Sequence, residues 1–364
     1  MASKTDKIEQ RNVRELDWMM LSVVGLCCLG LVMAVSILGT DARIGPMHAV
    51  KRQGIELLVA MVGFLVAALV PIGFVRRLAL PGFVVATAMC FATRFVAEDW
   101  NGAYRWIQLG RHQFQPVEAA RFCLVILVAH LLASAGREVV TFRRGFLPPM
   151  LAVVALMGGL ALQPDHGSAL LVLALVACVM LVAGVRLAHF LPWGFVTLGG
   201  LALLALRHDY VANRLLGFMN IQPDTQVGQS LVAIASGGTF GRGLGEGWMK
   251  MGFVPEAQND FVFAVVAEEL GFLGSLFVLT LYTVFGVMAY RLVCRIRDPF
   301  LRYVVVGFSL MLLMQAAINL LVVSGWAPAK GIDLPFVSTG GTSLFFCLAA
   351  VGMIGNAARS DLSR

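Results

Sequence analysis

Long apolar runs separated by short polar punctuation dominate the chain. Runs of 17 or more residues recur from end to end, and each can cross about 30 Å of hydrocarbon as a helix. The pattern predicts about ten spans, near 18–38, 54–73, 78–96, 117–135, 147–163, 167–185, 188–206, 261–291, 302–323 and 341–357. An even number puts both termini on one side. Arg76, Arg77, Arg137, Arg143, Arg144, Arg291, Arg295, Arg297, Arg302 and the basic termini then share that side, which the positive-inside rule makes the cytoplasm.

The expected fold is therefore all-α and polytopic, a single integral membrane domain over 1–364. It has a cytoplasmic tail at 1–17, a long extracytoplasmic loop at 207–259 between the seventh and eighth helices, and a cytoplasmic tail at 358–364. The first apolar run has no small-residue cleavage pattern, so it reads as a retained span. Composition agrees: 59% of residues are hydrophobic and 13% charged, about half the charged share of a soluble domain. The net charge of +7 sits largely between spans, as expected beside anionic lipid. No basic stretch is interleaved with aromatics, so nucleic acid is not an expected partner. The seven cysteines lie in or beside apolar segments without metal-ligand spacing.

Three stretches on the predicted external side are too polar for simple connectors: 101–121, 207–259 and 327–343. The glycine-rich SGGTFGRGLGEG (236–247) keeps apolar anchors and is expected to be ordered, partly re-entrant backbone. PEAQNDFVFAVVAEELG (255–271) concentrates acids at the mouth and in the body of an apolar run. Asp260 there could act as a base or hold a cation, and either Asn259 or Asp260 could be the helix N-cap. Glu268 and Glu269 lie deeper and call for a partner, either a cation or a backbone contact. No second well-placed external acid is evident beyond Glu256 and Glu118, so one carboxylate with several cations suits transfer from a diphosphate-linked donor better than glycoside hydrolysis, which needs two placed acids. The cations on that face are Arg105, Arg121, Arg242, Lys250 and Lys330; each alone is an ordinary snorkelling side chain. Trp106 reads equally as an interfacial anchor, and Glu118 with Arg121, three apart, as an architectural pair.

RWIQLG with QPVEAAR, QPDHGSA, GQSLVAIASGGTFGRGLGEG, PEAQNDFVFAVVAEELGFLG and KGIDLPFVSTGGTSL follow one another in the order seen in the SEDS family of bacterial cell-wall proteins, the FtsW and RodA group. The resemblance spans nearly the whole chain, and GLGEGWMK followed by PEA is similar to the FtsW branch. It implies a ten-helix fold in the inner membrane and a peptidoglycan glycosyltransferase that polymerises lipid II. It also implies a class B penicillin-binding protein as partner, among other divisome or elongasome membrane proteins. Matched motif by motif, Asp260 is the catalytic carboxylate facing the extracytoplasmic side, with a divalent cation (Mg2+ or Mn2+) at or near it. Arg105, Trp106, Glu118, Arg121, Lys250, Glu256, Lys330 and Ser338 fall on substrate-binding positions.

Three stretches depart from the family pattern. QPSE followed by Lys is here QPVE followed by Arg121, AHTD is AQND, and SYGG is STGG at Thr339. Two rival functions stay in view: a lipid II flippase, which the polar Gln163, Asp165, Glu268 and Glu269 within spans would suit, and a scaffold that recruits the transpeptidase without catalysis.

Overall fold

A computed structural model describes residues 4–38, 46–97, 104–110, 112–194, 199, 222–248 and 259–362. Ten α-helices occur among them: α1 (Lys4–Leu38), α2 (Pro46–Leu69), α3 (Ile72–Val96), α4 (Pro116–Ala135), α5 (Leu147–Leu162), α6 (His166–Val182), α7 (Gln226–Gly237), α8 (Val262–Val293), α9 (Pro299–Val323) and α10 (Gly341–Leu362). Eight are long and apolar enough to cross a membrane, and α6 is a shorter apolar helix. The expected span at 188–206 falls mainly outside the described residues, as does all of 207–221. α1 begins at Lys4 and α10 ends at Leu362, so both expected tails continue the helices next to them.

Helix starts follow local chemistry. Asp298 accepts from the amides of Phe300 and Leu301 (2.8 and 3.3 Å) ahead of Pro299 at the first helical position of α9. Asp165 caps α6 by accepting from both the amide and the hydroxyl of Ser168. α4 opens on Pro116 and ends where Gly136 takes φ 53°.

The helices pack mainly as the pairs α2 with α10, α3 with α4, α1 with α8, α7 with α8, and α9 with α4. α4, α9 and α10 are the innermost, and their buried Val, Leu, Phe and Ala side chains form a continuous core. At one end of the bundle, ionic and backbone contacts tie the elements together: Arg295 Nη1 lies 2.7 Å from Glu15 Oε2, and Asp361 accepts from the amides of Arg297 and Asp298. Asn356 Nδ2 donates to Ala67 O and Val70 O, carbonyls left open where α2 ends before Pro71. The opposite end carries a small antiparallel hairpin, β1 (Ile107–Leu109) and β2 (His112–Phe114), which sequence periodicity did not forecast. Thr342 Oγ1 donates to Gln113 O at 2.9 Å and pins that hairpin to the start of α10.

α8 holds the longest candidate membrane span among the described residues, and it is broken. Gly271 sits inside it at φ 67°, ψ −159°. Phe261 to Glu269 are all buried by protein, whereas Phe272, Leu273, Leu276 and Phe277 face outward. The segment after α7 pairs with the break: the amides of Arg242 and Gly243 donate to the carbonyls of Glu268 and Glu269, and those of Phe272 and Leu273 donate to Gly238 and Thr239. The glycine-rich run is thus ordered backbone supported by α8, as expected.

Candidate active site

The hairpin end gathers four polar segments. The first is the turn Asn259–Phe261 that leads into α8. Asp260 is half-buried here and lies outside the helix; the N-cap position is Phe261, with no side-chain cap. The expectation that Asn259 or Asp260 caps this helix is therefore corrected. The turn is held instead from the loop that precedes α10. Ser338 Oγ donates to Asn259 O (2.6 Å) while accepting from the Leu334 amide (2.8 Å), and Thr339 Oγ1 donates to Asn259 Oδ1 (3.0 Å). The AQND and STGG departures thus meet each other in one hydrogen bond.

The second segment is that loop itself, residues 327–340. Its Gly331 lies against the acid: a Cβ at this position would stand 2.9 Å from Asp260 Oδ2. Lys330, one residue earlier, extends its Cε over Gly167 in the first turn of α6. The third segment is the Gln163–Asp165 turn. Asp165 Oδ1 lies 3.7 Å from Arg105 Nη2, which also donates to Pro164 O at 3.3 Å. Arg105 belongs to the fourth segment, the stretch leading into the hairpin, and the half-buried Trp106 follows it. Arg105, Asp165, Lys330 and Asp260 are thereby brought into one neighbourhood, from four places in the chain. Their charges partly offset: Asp165 orients one cation beside the α6 start, and the nearby start of α8 adds partial positive charge around Asp260.

Beneath this layer lies a buried polar chain. Glu118 and Arg121, one turn apart on α4, form an ion pair with both side chains more than nine-tenths buried. Arg121 Nη1 donates to Gln315 Oε1 (3.3 Å), and Gln315 Nε2 donates to Asp333 O (3.1 Å). The bonds of this pair run inward to α9 and reach the site through the 327–340 loop. Lys250 and Glu256 lie outside the described residues. Glu268 and Glu269 are both buried and support the glycine-rich segment. Glu268 accepts from the Trp248 amide (2.9 Å), and Glu269 accepts from the Gly245 amide (3.2 Å) and from Ser36 Oγ (2.7 Å). They do not join Asp260, as expected from their depth. Sequence reasoning passed over Gln315 and Asn319, although two amides four residues apart within an apolar span are a readable signal of an internal contact.

A divalent ion can be tested against this donor set. Among the described residues no group of three or more His, Cys, Asp or Glu side chains could hold a metal. Asp260 supplies one hard carboxylate at the site. That fits a hydrated, magnesium-like ion, which Asp260 would hold and which would supply positive charge there, and it does not fit an all-protein cage.

A polytopic helical bundle with a half-buried acid and two cations gathered at one end from separate loops belongs to the class of integral-membrane proteins that carry a charged site at the end of the bundle. The chain belongs to the FtsW/RodA/SpoVE family: the family model, described as cell cycle protein, matches residues 17–362. It is 37% identical over 359 residues to the "Probable peptidoglycan glycosyltransferase FtsW" of Saccharophagus degradans, covering 94% of this chain and 92% of the relative. Stage V sporulation protein E of Bacillus subtilis is 36% identical over 264 residues, covering 71% and 72%. Among solved structures, a chain from a peptidoglycan synthase complex that coordinates polymerization and crosslinking matches with a TM-score of 0.75 at 28% identity, covering 94% of this chain and 97% of that one. The rod shape determining protein RodA of Thermus thermophilus matches with a TM-score of 0.69 at 28% identity, covering 94% and 96%.

Proposed function

We propose that the protein is a peptidoglycan glycosyltransferase that polymerises lipid II for the dividing cell wall, with Asp260 as the carboxylate that activates the acceptor. The observation that carries this reading is the placement of Asp260 against Gly331, beside Lys330, in a chain that aligns over almost its whole length with FtsW relatives. The acceptor sugar's 4-hydroxyl is to lie against the Asp260 carboxylate, which takes its proton as the oxygen bonds to the donor's anomeric carbon. The bond from that carbon to the diphosphate oxygen breaks, and undecaprenyl diphosphate leaves with the electron pair. Lys330 and Arg105 offset the charge that builds on the leaving group. Mg2+ or Mn2+, held by Asp260 and solvent, would add positive charge for the diphosphate. The site end faces the extracytoplasmic side and both termini face the cytoplasm, supported by the arginines that gather at the opposite end of the bundle. A class B penicillin-binding protein is the proposed partner, in keeping with the synthase complex that shares this fold.

The test uses purified protein with its transpeptidase partner, lipid II and a divalent ion. Glycan strands are expected from the wild type, and Asp260→Ala is expected to lower the rate at least about 100-fold, the scale of a lost general base. Transfer of lipid across vesicles with no polymer formed would favour the flippase instead. An Asp260→Ala protein that still supports growth of a deletion strain would favour the scaffold.

A further inference from the structure

Asn319 is a buried polar side chain that the mechanism above does not use. It lies on α9, within a span, at 2% exposure. Its Nδ2 carries two hydrogens, and two carbonyl oxygens receive them: Asp260 O at 2.7 Å and Ile332 O at 2.6 Å. Its Oδ1 meets no donor among the described residues, so the NH2 group alone anchors the amide. The two acceptors belong to two segments of chain far apart in sequence. One carries the carboxylate, and the other carries Gly331, against which that carboxylate lies, and Lys330. One turn earlier on the same face of α9, Gln315 holds the next carbonyl of the same loop, that of Asp333 (3.1 Å), and is itself held by Arg121. Ser338 and Thr339 fasten Asn259, whereas Asn319 fastens the carbonyl of the acid itself.

We propose that Asn319 is a positioning residue for glycosyl transfer: it joins the Asp260 backbone to the Ile332 carbonyl, so that the carboxylate and Lys330 are presented to substrate in a fixed relation. The inference rests on the reading of Asp260 as the acceptor-activating acid. A helix-packing amide with no such role would contribute to the amount of folded protein and leave the turnover of each folded molecule alone. A positioning amide acts on kcat, because misplacing a reacting group by about 1 Å can cost about 100-fold in rate while substrate contacts elsewhere persist.

The experiment measures kcat and KM for lipid II polymerisation by the full chain with its transpeptidase partner. Wild type, Asp260→Ala, Asn319→Leu and Asn319→Gln are compared as folded, monodisperse protein. Asn319→Leu, which keeps the branched four-heavy-atom shape and loses both donors, is expected to lower kcat about 100-fold with KM held within about threefold. Asn319→Gln keeps the NH2 group one methylene further out and is expected to recover about tenfold of that loss, remaining about tenfold below wild type. A Leu variant with kcat within about threefold of wild type overturns the proposal, as does a loss carried by KM with kcat unchanged. Should Asn319→Leu fail to fold, Asn319→Gln decides alone: about tenfold lower kcat supports positioning, and kcat within about threefold of wild type sinks it. Polymerisation by Asp260→Ala at the wild-type rate would remove the reading of the acid itself. An inactive Asp260→Ala beside normal Asn319 variants would remove only the positioning role.

Discussion

Asp260 owes its setting to residues that are ordinary when taken singly. Gly331 matters because it lacks a side chain: the position is exposed, yet a Cβ there would stand 2.9 Å from Asp260 Oδ2, inside van der Waals contact. Gly331→Ala is therefore expected to shift the carboxylate and lower kcat about tenfold. Stability should change by less than about 1 kcal/mol, as is usual at exposed positions; thermal unfolding alongside the polymerisation assay checks both. The motif departures also resolve at this scale. Asn259 and Thr339 differ from the family pattern together and touch each other, so the pair keeps a hydrogen bond between the turn and the loop with different side chains. A sequence shows two separate substitutions there, because nothing in linear spacing reports that residues 80 apart are neighbours.

Among the elements, α8 is where pattern and structure part most clearly. Its apolar run was legible, and so was the need for Glu268 and Glu269 to find partners. Its break was not, since a lone glycine inside a membrane helix is commonplace. Gly271 is required because the segment after α7 presses its backbone against this point, at positive φ, where a Cβ would meet the Gly241 amide and the Thr239 carbonyl. Gly271→Ala is expected to cost about 3 kcal/mol through strain and overpacking, seen as a lower unfolding midpoint in detergent. The two glutamates complete the contact by accepting from the Gly245 and Trp248 amides, and these bonds give two buried carboxylates their partners. The hairpin at 107–114 escaped notice for the opposite reason: three-residue strands are too short to show an alternation. Arg105 and Trp106 could be placed on a polar external stretch, but not in relation to Asp165.

For the whole molecule, the bundle separates its two ends by chemistry. The arginines at 137–144 and 291–302 lie at one end, and Arg105, Lys330 and the acid lie at the other. That asymmetry was legible from charge counting alone, because loop charge is governed by the membrane and needs no knowledge of packing. The convergence of four loops was not legible, since it depends on which helices pair. The proposed orientation can be tested with a membrane-impermeant thiol reagent on intact cells stripped of their outer membrane. In a cysteine-free background, Gln108→Cys should label and Glu138→Cys should label only after permeabilisation; the reverse pattern would invert the topology.

The 32 residues of α8 span about 48 Å, while the hydrocarbon layer is about 30 Å thick. The excess cannot be lost at random, because outward-facing apolar side chains start only at Phe272, and every residue from Phe261 to Glu269 is wrapped in protein. Outward-facing apolar side chains on α8 therefore begin beyond the Gly271 break, and the ten residues from Val262 to Gly271, about 15 Å of helix, are enclosed largely by protein. A single glycine thus marks where the helix leading from the acid passes from a protein sleeve to an apolar outer surface.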